Sequence, residues 1–113
     1  MEKNIFKFEK TGEGKYAGTC GHARIDVERS ARSWRWKLNA AAHDGYPAVS
    51  RSGHVKADSP QAAQRAALED AFFQLDDVIE TGIDDGYALD PSEGGACQDV
   101  WEMLDGCGCE CAA

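Results

Sequence analysis

The amino-acid sequence predicts an α+β domain, in which an antiparallel β-meander of three to four strands packs on one long α-helix. A short C-terminal helix and a cysteine-rich tail follow. In the first half of the chain apolar and polar residues alternate, as in strands with one buried face. From residue 60 the apolar period changes to three and four, as in an amphipathic helix. With 113 residues, the chain has room for one compact domain and little more.

Strands are predicted between about residues 3 and 56. The first is short and centres on Ile5–Phe8, before a glycine-rich turn. A second extended stretch covers Tyr16–Glu28, in which two glycines indicate a bend or bulge. The clearest strand is Trp34–Ala40, where every second residue is apolar. A weaker strand follows at Val49–Val55, and the short connections favour antiparallel pairing.

The main helix is predicted over about residues 60–81. Ser59 supplies a capping hydroxyl, and Pro60 lies in the first turn, where its missing N–H costs nothing. Gly82 occupies the position of a helix C-cap. The core stripe of this helix consists of Leu68, Phe72, Leu75 and Ile79. We expect the stripe to pack on the tryptophan-bearing face of the preceding strands.

The remainder of the chain is predicted to be less regular. Residues 82–95 are rich in Asp, Gly and Pro, which predicts an acidic loop. A short amphipathic helix over about residues 97–105 is predicted by the spacing of Cys97, Val100, Trp101 and Leu104. Residues 1–105 therefore form the predicted domain, and we interpret residues 106–113 as a cysteine-rich tail.

Several classes of protein are disfavoured by composition. No stretch approaches the roughly 20 apolar residues of a membrane span, so we expect no membrane partner. Charged residues interrupt the apolar pairs at the start of the chain, which is unlike a secretory signal. Five cysteines, three of them among the last seven residues, make a poor disulfide framework. These features favour a reducing compartment, and we expect a cytoplasmic location.

Charge is distributed very unevenly along the chain. Residues 1–56 carry eleven Lys and Arg against six Asp and Glu, a net +5. Residues 57–113 carry one basic residue, Arg65, against fourteen acids, a net −13, and the two sums give −8 overall. Partial neutralisation of one half by the other leaves an excess of negative charge. A surface field of one sign attracts partners of the opposite sign.

Part of this negative charge is arranged in rows on the main helix. At about 100° per residue, Glu69, Asp76 and Glu80 fall in one row, and Asp70 and Asp77 fall in a second. Like charges at this spacing destabilise a helix by a few tenths of a kcal/mol per pair. The rows resemble the charge presentation of a nucleic-acid backbone. The alternative is an ordinary solvated acidic surface.

Phe73 lies between the rows and is a candidate anchor, because aromatic side chains dominate the energetics of interfaces. In the alternative interpretation, Val100 or Trp101 of the last helix covers Phe73 and buries it. The predicted partner-binding residues are Glu69, Asp70, Phe73, Asp76, Asp77, Glu80, Asp84 and Asp85.

No motif for catalysis is apparent. His22, His43 and His54 belong to no recognisable catalytic constellation. The acidic loop does not match the calcium-binding pattern, and no phosphate-binding or dinucleotide fingerprint is present. We therefore expect a protein that is not an enzyme and has no cofactor.

The cysteines suggest a further hypothesis, a soft-metal site. Cys97, Cys107, Cys109 and Cys111 offer four thiolates, and Cys20 with His22 offers a second source of ligands. Structural zinc sites usually pair their ligands at a spacing of two to four residues, whereas the last three cysteines are separated by one. The alternative is a terminal tail with buried cysteines elsewhere, and no metal is predicted.

A family resemblance is carried by three segments. The order of these segments resembles a pattern in short phage and plasmid proteins. The segments are Ser33–Leu38 (SWRWKL), Ser52–Gly53 and the alanine-rich Ser59–Leu68. With its acidic helix, the chain resembles inhibitors of the anti-CRISPR and anti-restriction type. The resemblance implies binding to a basic nucleic-acid-binding protein or ribonucleoprotein complex, often by mimicry of its ligand, without direct binding of nucleic acid.

A nucleic-acid-binding module is the main alternative function. It would use the cations of the predicted sheet, with exposed tryptophans as stacking platforms. Those cations are Arg24, Arg35, Lys37 and Arg51. The net charge of −8 opposes this hypothesis, because contacts to phosphate dominate such affinities.

Overall fold

The computed structural model describes residues 4–42, 45–84, 87–88 and 91–112. The elements in chain order are β1 (Ile5–Gly12), β2 (Lys15–Cys20), β3 (Ala23–Ser30), β4 (Ser33–Ala40), β5 (Val49–Val55), α1 (Pro60–Thr81), β6 (Ile83–Asp84), β7 (Tyr87–Ala88), α2 (Pro91–Leu104) and β8 (Gly108–Glu110). The protein is therefore α+β, as predicted. None of the helices in these ranges is long and apolar enough to pass through a bilayer.

One mixed sheet contains six of the strands, in the order β5-β4-β3-β2-β1-β8. Strands β1 to β5 are antiparallel neighbours, and β8 runs parallel to β1. The predicted meander of three to four strands is thus wrong in number and type. The stretch interpreted as one bent strand is a hairpin, because Gly21, with a φ of +57°, reverses the chain between β2 and β3.

The strands bury one face beneath the helices. In β4, Trp34, Trp36 and Leu38 are buried, whereas Arg35 and Lys37 on the opposite face are exposed. This alternation confirms the predicted orientation of the strand. The same hydrophobic core includes residues of β1, β3, α1 and α2. Because both helices contribute to this core, they fix each other's position on the sheet.

Helix α1 begins and ends where its capping residues predict. The Ser59 hydroxyl accepts a hydrogen bond from the N–H of Ala62 at 3.2 Å. Gly82 adopts the left-handed conformation, and its N–H donates to the Val78 carbonyl at 2.8 Å. The stripe of large apolar residues faces the core: Leu68 and Leu75 are buried and Phe72 and Ile79 are half-buried. Local capping chemistry therefore sets both ends of the helix.

Part of the predicted acidic loop over residues 82–95 is regular structure. Strands β6 and β7 pair with each other, and α2 begins at Pro91 rather than near residue 97. Residues 85, 86, 89 and 90 of that loop lie outside the described residues. Proline was interpreted as a loop signal, but it is well tolerated in the first turn of a helix. Gly94 and Gly95 lower the helix propensity of this segment. Burial of Ala96, Cys97 and Val100 offsets that cost.

The segment interpreted as a tail is docked on the domain. Residues Gly108, Cys109 and Glu110 of β8 lie opposite residues 5–7 of β1. Beyond the strand, Gln64 of α1 donates to the Ala112 carbonyl and accepts from the Ala112 N–H, both at 2.8 Å. Gln64 is fully buried, so this pair of bonds satisfies a side-chain amide that would otherwise be unpaired in the core.

We expect Gln64→Leu to lower the free energy of unfolding by about 1–3 kcal/mol, because the polar groups of Ala112 lose their partner. Hydrogen exchange of the Ala112 amide should accelerate in the same variant. Urea unfolding checks the first effect and NMR the second. Gln61→Leu, at a half-buried position one turn earlier, is the control. Equal losses in both variants would show that the bonds to Ala112 do not stabilise the fold.

Candidate protein-interaction site

The outer side of α1 presents an exposed aromatic ring. Phe73 is 65% exposed, the highest value for a large apolar side chain among the described residues. It points away from Ala67, Ala71 and Leu75, which are buried on the sheet side of the helix. The alternative in which Val100 or Trp101 covers Phe73 is therefore wrong.

Trp101 instead supports Phe73 indirectly. Its ring stacks on Phe72, with centroids 5.5 Å apart and an interplanar angle of 23°. The Phe72 ring in turn meets Phe73 edge to face, at 5.6 Å and 69°. Such pairs contribute about 0.5–1.5 kcal/mol beyond the area that they bury. The exposed ring is thus held against a supporting aromatic pair, which reduces the conformational entropy that it loses on binding a partner.

Four carboxylates surround Phe73 on the helix. Glu69 lies one turn before it, Asp76 and Asp77 lie one turn after it, and Glu80 lies two turns after it. Asp76 is half-buried and the other three are exposed. Within the described part of the chain, none of the four forms an ion pair. We refer to these four residues and Phe73 as the acidic face.

Asp70 does not belong to the acidic face, although the sequence placed it there. Its carboxylate accepts a hydrogen bond of 2.7 Å from the indole N–H of Trp36. A Cβ at Gly53 would lie 2.8 Å from both atoms of this bond, so the strand β5 approaches them closely. A buried indole N–H needs an acceptor, and this need explains the acid at position 70.

The two remaining predicted partner-binding residues follow α1 in the chain. Asp84 lies in β6. Asp85 lies outside the described residues. The structure therefore brings together Glu69, Phe73, Asp76, Asp77 and Glu80 out of the eight residues predicted from the sequence.

A groove of about 500 Å³ adjoins the acidic face, between α1 and the segment after α2. The apolar part of its wall consists of Leu68, Phe72, Phe73 and Leu104. Arg65, Glu69 and Asp105 are the charged residues at the groove. Sequence reasoning missed the groove because part of its wall, Gly106, Cys107 and Cys109, was interpreted as a tail. Its volume is in the range of sites that bind small molecules or single side chains of a partner.

Among the described residues, the opposite, uncovered face of the sheet presents no tryptophan. Trp34 and Trp36 are buried and cannot serve as stacking platforms. Arg51 lies opposite Leu38 in the β4–β5 pair, on the covered face. Arg24 donates to Asp26 at 2.9 Å, and this hydrogen bond together with the charge of Asp26 raises the pKa of the Arg24 guanidinium.

Acids also lie opposite the other cations of that face. The register places Asp26 beside Lys37 and Glu28 beside Arg35. Each acid offsets part of the positive potential of the cation beside it, although the two pairs do not form ion pairs. The exposed sheet surface is therefore mixed in charge, which disfavours its use as a binding surface for phosphates.

The structure also bears on the histidines and the metal hypothesis. His22 Nε2 lies 2.9 Å from Asp99 Oδ2, which joins the β2–β3 turn to α2. His43 lies outside the described residues.

Among the residues that are described, no group of three or more His, Cys, Asp or Glu is placed to hold a metal ion. Cys109 and Cys111 are joined in a disulfide, so two of the four thiols proposed as ligands are paired.

Comparison of the chain with models of protein families, with curated proteins and with solved structures gives no match. The function is therefore inferred from the geometry and charge of the acidic face and its groove.

We expect Phe72→Ala and Phe73→Ala to have different effects on stability. Phe72 is half-buried against Trp101, so its removal should lower the free energy of unfolding by about 2–3 kcal/mol. Phe73 is mostly exposed, and its removal should change that free energy by about 0.5 kcal/mol or less. Urea unfolding of the two variants provides the measurement. A larger loss for Phe73→Ala would mean that Phe73 is buried in solution.

Proposed function

We propose that this protein is a protein-binding inhibitor whose acidic face blocks the basic surface of a nucleic-acid-binding protein or complex. One observation carries the proposal. Phe73, 65% exposed, lies among four carboxylates that form no ion pair within the described residues. An exposed aromatic ring surrounded by charge of one sign suits a partner that has an apolar pocket with cations around it.

The two components of the face have different physical roles. The carboxylates attract a cationic surface over a distance and accelerate association, an effect that salt screens beyond roughly 8 Å at physiological ionic strength. Phe73 provides apolar contact area once the surfaces meet, and aromatic anchors of this kind account for much of the binding energy at interfaces. The groove beside Phe73 is able to receive a side chain from the partner.

Repulsion between the carboxylates of α1 also favours binding of a cationic partner. Asp76 and Glu80 are four residues apart on α1, as are Phe73 and Asp77, so the carboxylates cluster on one side of the helix. Like charges at this spacing destabilise a helix by about 0.2–0.5 kcal/mol per pair. A cationic partner removes this repulsion, so part of the helix stability is recovered in the complex.

The finer proposal concerns the class of inhibitor. A nucleic-acid-like charge pattern on a small acidic protein is typical of anti-CRISPR and anti-restriction inhibitors of phages and mobile elements. We propose that the target is the CRISPR or restriction complex that such inhibitors block, and that binding takes place in the cytoplasm. The protein itself does not bind nucleic acid.

A capture experiment tests the proposal. Immobilised protein is incubated with nuclease-treated extract, and bound proteins are challenged with DNA or RNA. We expect a basic nucleic-acid-binding protein to be retained and then released by nucleic acid. Phe73→Ala should lose the partner, whereas Ile5→Ala, which removes a partly exposed side chain of β1, should retain it. A partner that nucleic acid does not displace, or a gel shift of free DNA or RNA by the protein alone, would overturn the proposal.

A further inference from the structure

Three cysteines lie close together at the groove beside the acidic face. Cys107 follows the turn after α2, Cys109 is the central residue of β8, and Cys111 follows that strand. Cys109 and Cys111 form a disulfide, with Cα atoms 5.6 Å apart, and Cys107 is not part of it. All three residues are half-buried.

The three residues differ in what they face. Cys107 and Cys109 both line the groove, as expected for residues two apart in an extended segment. Cys111 is not among the lining residues, and its Sγ lies 3.8 Å from the main-chain carbonyl oxygen of Gln61 in α1. That oxygen is available to accept an S–H when Cys111 is reduced. The structure thus provides for both the bonded and the thiol form of Cys111.

The segment is anchored on both sides of the disulfide. Pairing of β8 with β1 holds Cys109, and the two bonds between Gln64 and Ala112 hold the chain after Cys111. Cleavage of the disulfide therefore leaves the sulfur atoms close to their original positions. Proximity of this kind favours re-formation of a bond between cysteines of the same segment over its reaction with solvent thiols.

We infer that the Cys109–Cys111 disulfide is a site of thiol–disulfide exchange for a small thiol that enters the groove. The thiolate of the incoming molecule attacks Sγ of Cys109, and a mixed disulfide forms there. The Cys109–Cys111 bond breaks, and its electron pair leaves with Sγ of Cys111. This thiolate takes a proton from water and donates the new S–H to the Gln61 carbonyl.

Cys107 completes the exchange. Its thiolate attacks Sγ of Cys109, forms a Cys107–Cys109 disulfide and releases the small thiol as a thiolate, which is protonated. The two steps together move the disulfide from Cys109–Cys111 to Cys107–Cys109 without net oxidation or reduction. The volume of the groove, about 500 Å³, is sufficient for a tripeptide-sized thiol, and this activity does not require the partner proposed above.

Glutathione is a suitable probe for the test. Oxidised protein is incubated with glutathione, quenched with a fast alkylating reagent and cleaved before Asp105. The released peptide of nine residues, 105–113, contains all three cysteines, so fragmentation in a mass spectrometer locates each modification. In the unmodified sequence we expect the Cys107–Cys109 disulfide with an alkylated Cys111. In Cys107→Ser we expect about twofold more glutathione on Cys109, because Cys111 is then the only cysteine of the segment that can displace it.

Two further variants make the result decisive. Cys20→Ser changes a reduced cysteine of β2 that does not line the groove, and it should behave as the parent protein. Cys107→Ala repeats the test in case Cys107→Ser unfolds, which circular dichroism detects. Glutathione found on Cys111, equal amounts on Cys109 with and without Cys107, or no adduct in any variant would each overturn the inference.

Discussion

Replacing Trp36 by alanine is expected to lower the free energy of unfolding by about 3–5 kcal/mol. Trp36 is fully buried in β4, an interior strand of the sheet, and is among the largest side chains of the core. Its indole N–H also holds the Asp70 carboxylate of α1 at 2.7 Å. Alanine at this position therefore creates a cavity and at the same time leaves a half-buried carboxylate without its donor.

The size of this effect requires a milder variant beside it. The free energy of unfolding of a small domain is about 5–15 kcal/mol, so the Trp36→Ala variant retains only a small free energy of unfolding, which is difficult to measure. Trp36→Phe keeps one aromatic ring but removes the other together with the N–H, and we expect a loss of about 1–3 kcal/mol from the unpaired Asp70 carboxylate and a small cavity. Arg35→Ala, on the exposed face of the same strand, should change stability by about 0.5 kcal/mol or less. Urea unfolding that gives similar losses for Trp36→Phe and Arg35→Ala would contradict the role assigned to the Trp36–Asp70 bond.

Replacing Glu69, Asp76 and Glu80 together by glutamine is expected to slow association with the captured partner by about tenfold or more at low salt. Glutamine keeps a high helix propensity, so α1 should remain folded. The rate of dissociation should change much less, because Phe73 and the groove still provide the apolar contacts. At high salt the association rates of the parent and the variant should converge, since screening removes the steering that distinguishes them.

A matched set of charges controls for the overall change in net charge. Glu9, Glu13 and Glu28 lie in the β1 to β3 region of the sheet, away from α1. Their replacement by glutamine removes the same three charges and should leave the association rate close to that of the parent. Stopped-flow mixing at two salt concentrations measures all three proteins. Equal slowing in the two triple variants would mean that net charge, and not the acidic face, determines the rate.

The parts of the fold that were predictable from sequence depend on local signals. Ser59 and Gly82 define the ends of α1 through capping bonds to residues within one turn. The alternation around Trp36 identifies β4 and its buried face. Phe73 was placed on the outer side of α1 by helical periodicity alone. In each case the information lies within a few residues of the position concerned.

The parts that were missed depend on contacts between distant residues. Docking of β8 against β1 joins the two ends of the chain, and no local pattern around Cys109 indicates it. Asp70 was assigned to the partner-binding face because its acceptor role depends on Trp36, 34 residues earlier. The exposure of Phe73 could not be decided either, because it depends on where Trp101 packs. Part of the wall of the groove lies in the segment that was interpreted as a tail.

Competition for the isolated partner is the most direct test of the proposed function. Labelled nucleic acid is bound to the captured protein, and its displacement is followed by fluorescence anisotropy as the inhibitor is added. We expect stoichiometric displacement by the parent protein, weaker displacement by Phe73→Ala, and a loss of potency for the Glu69, Asp76 and Glu80 variant that is greatest at low salt. A ternary complex, in which the partner holds the protein and the nucleic acid together, would contradict the proposal.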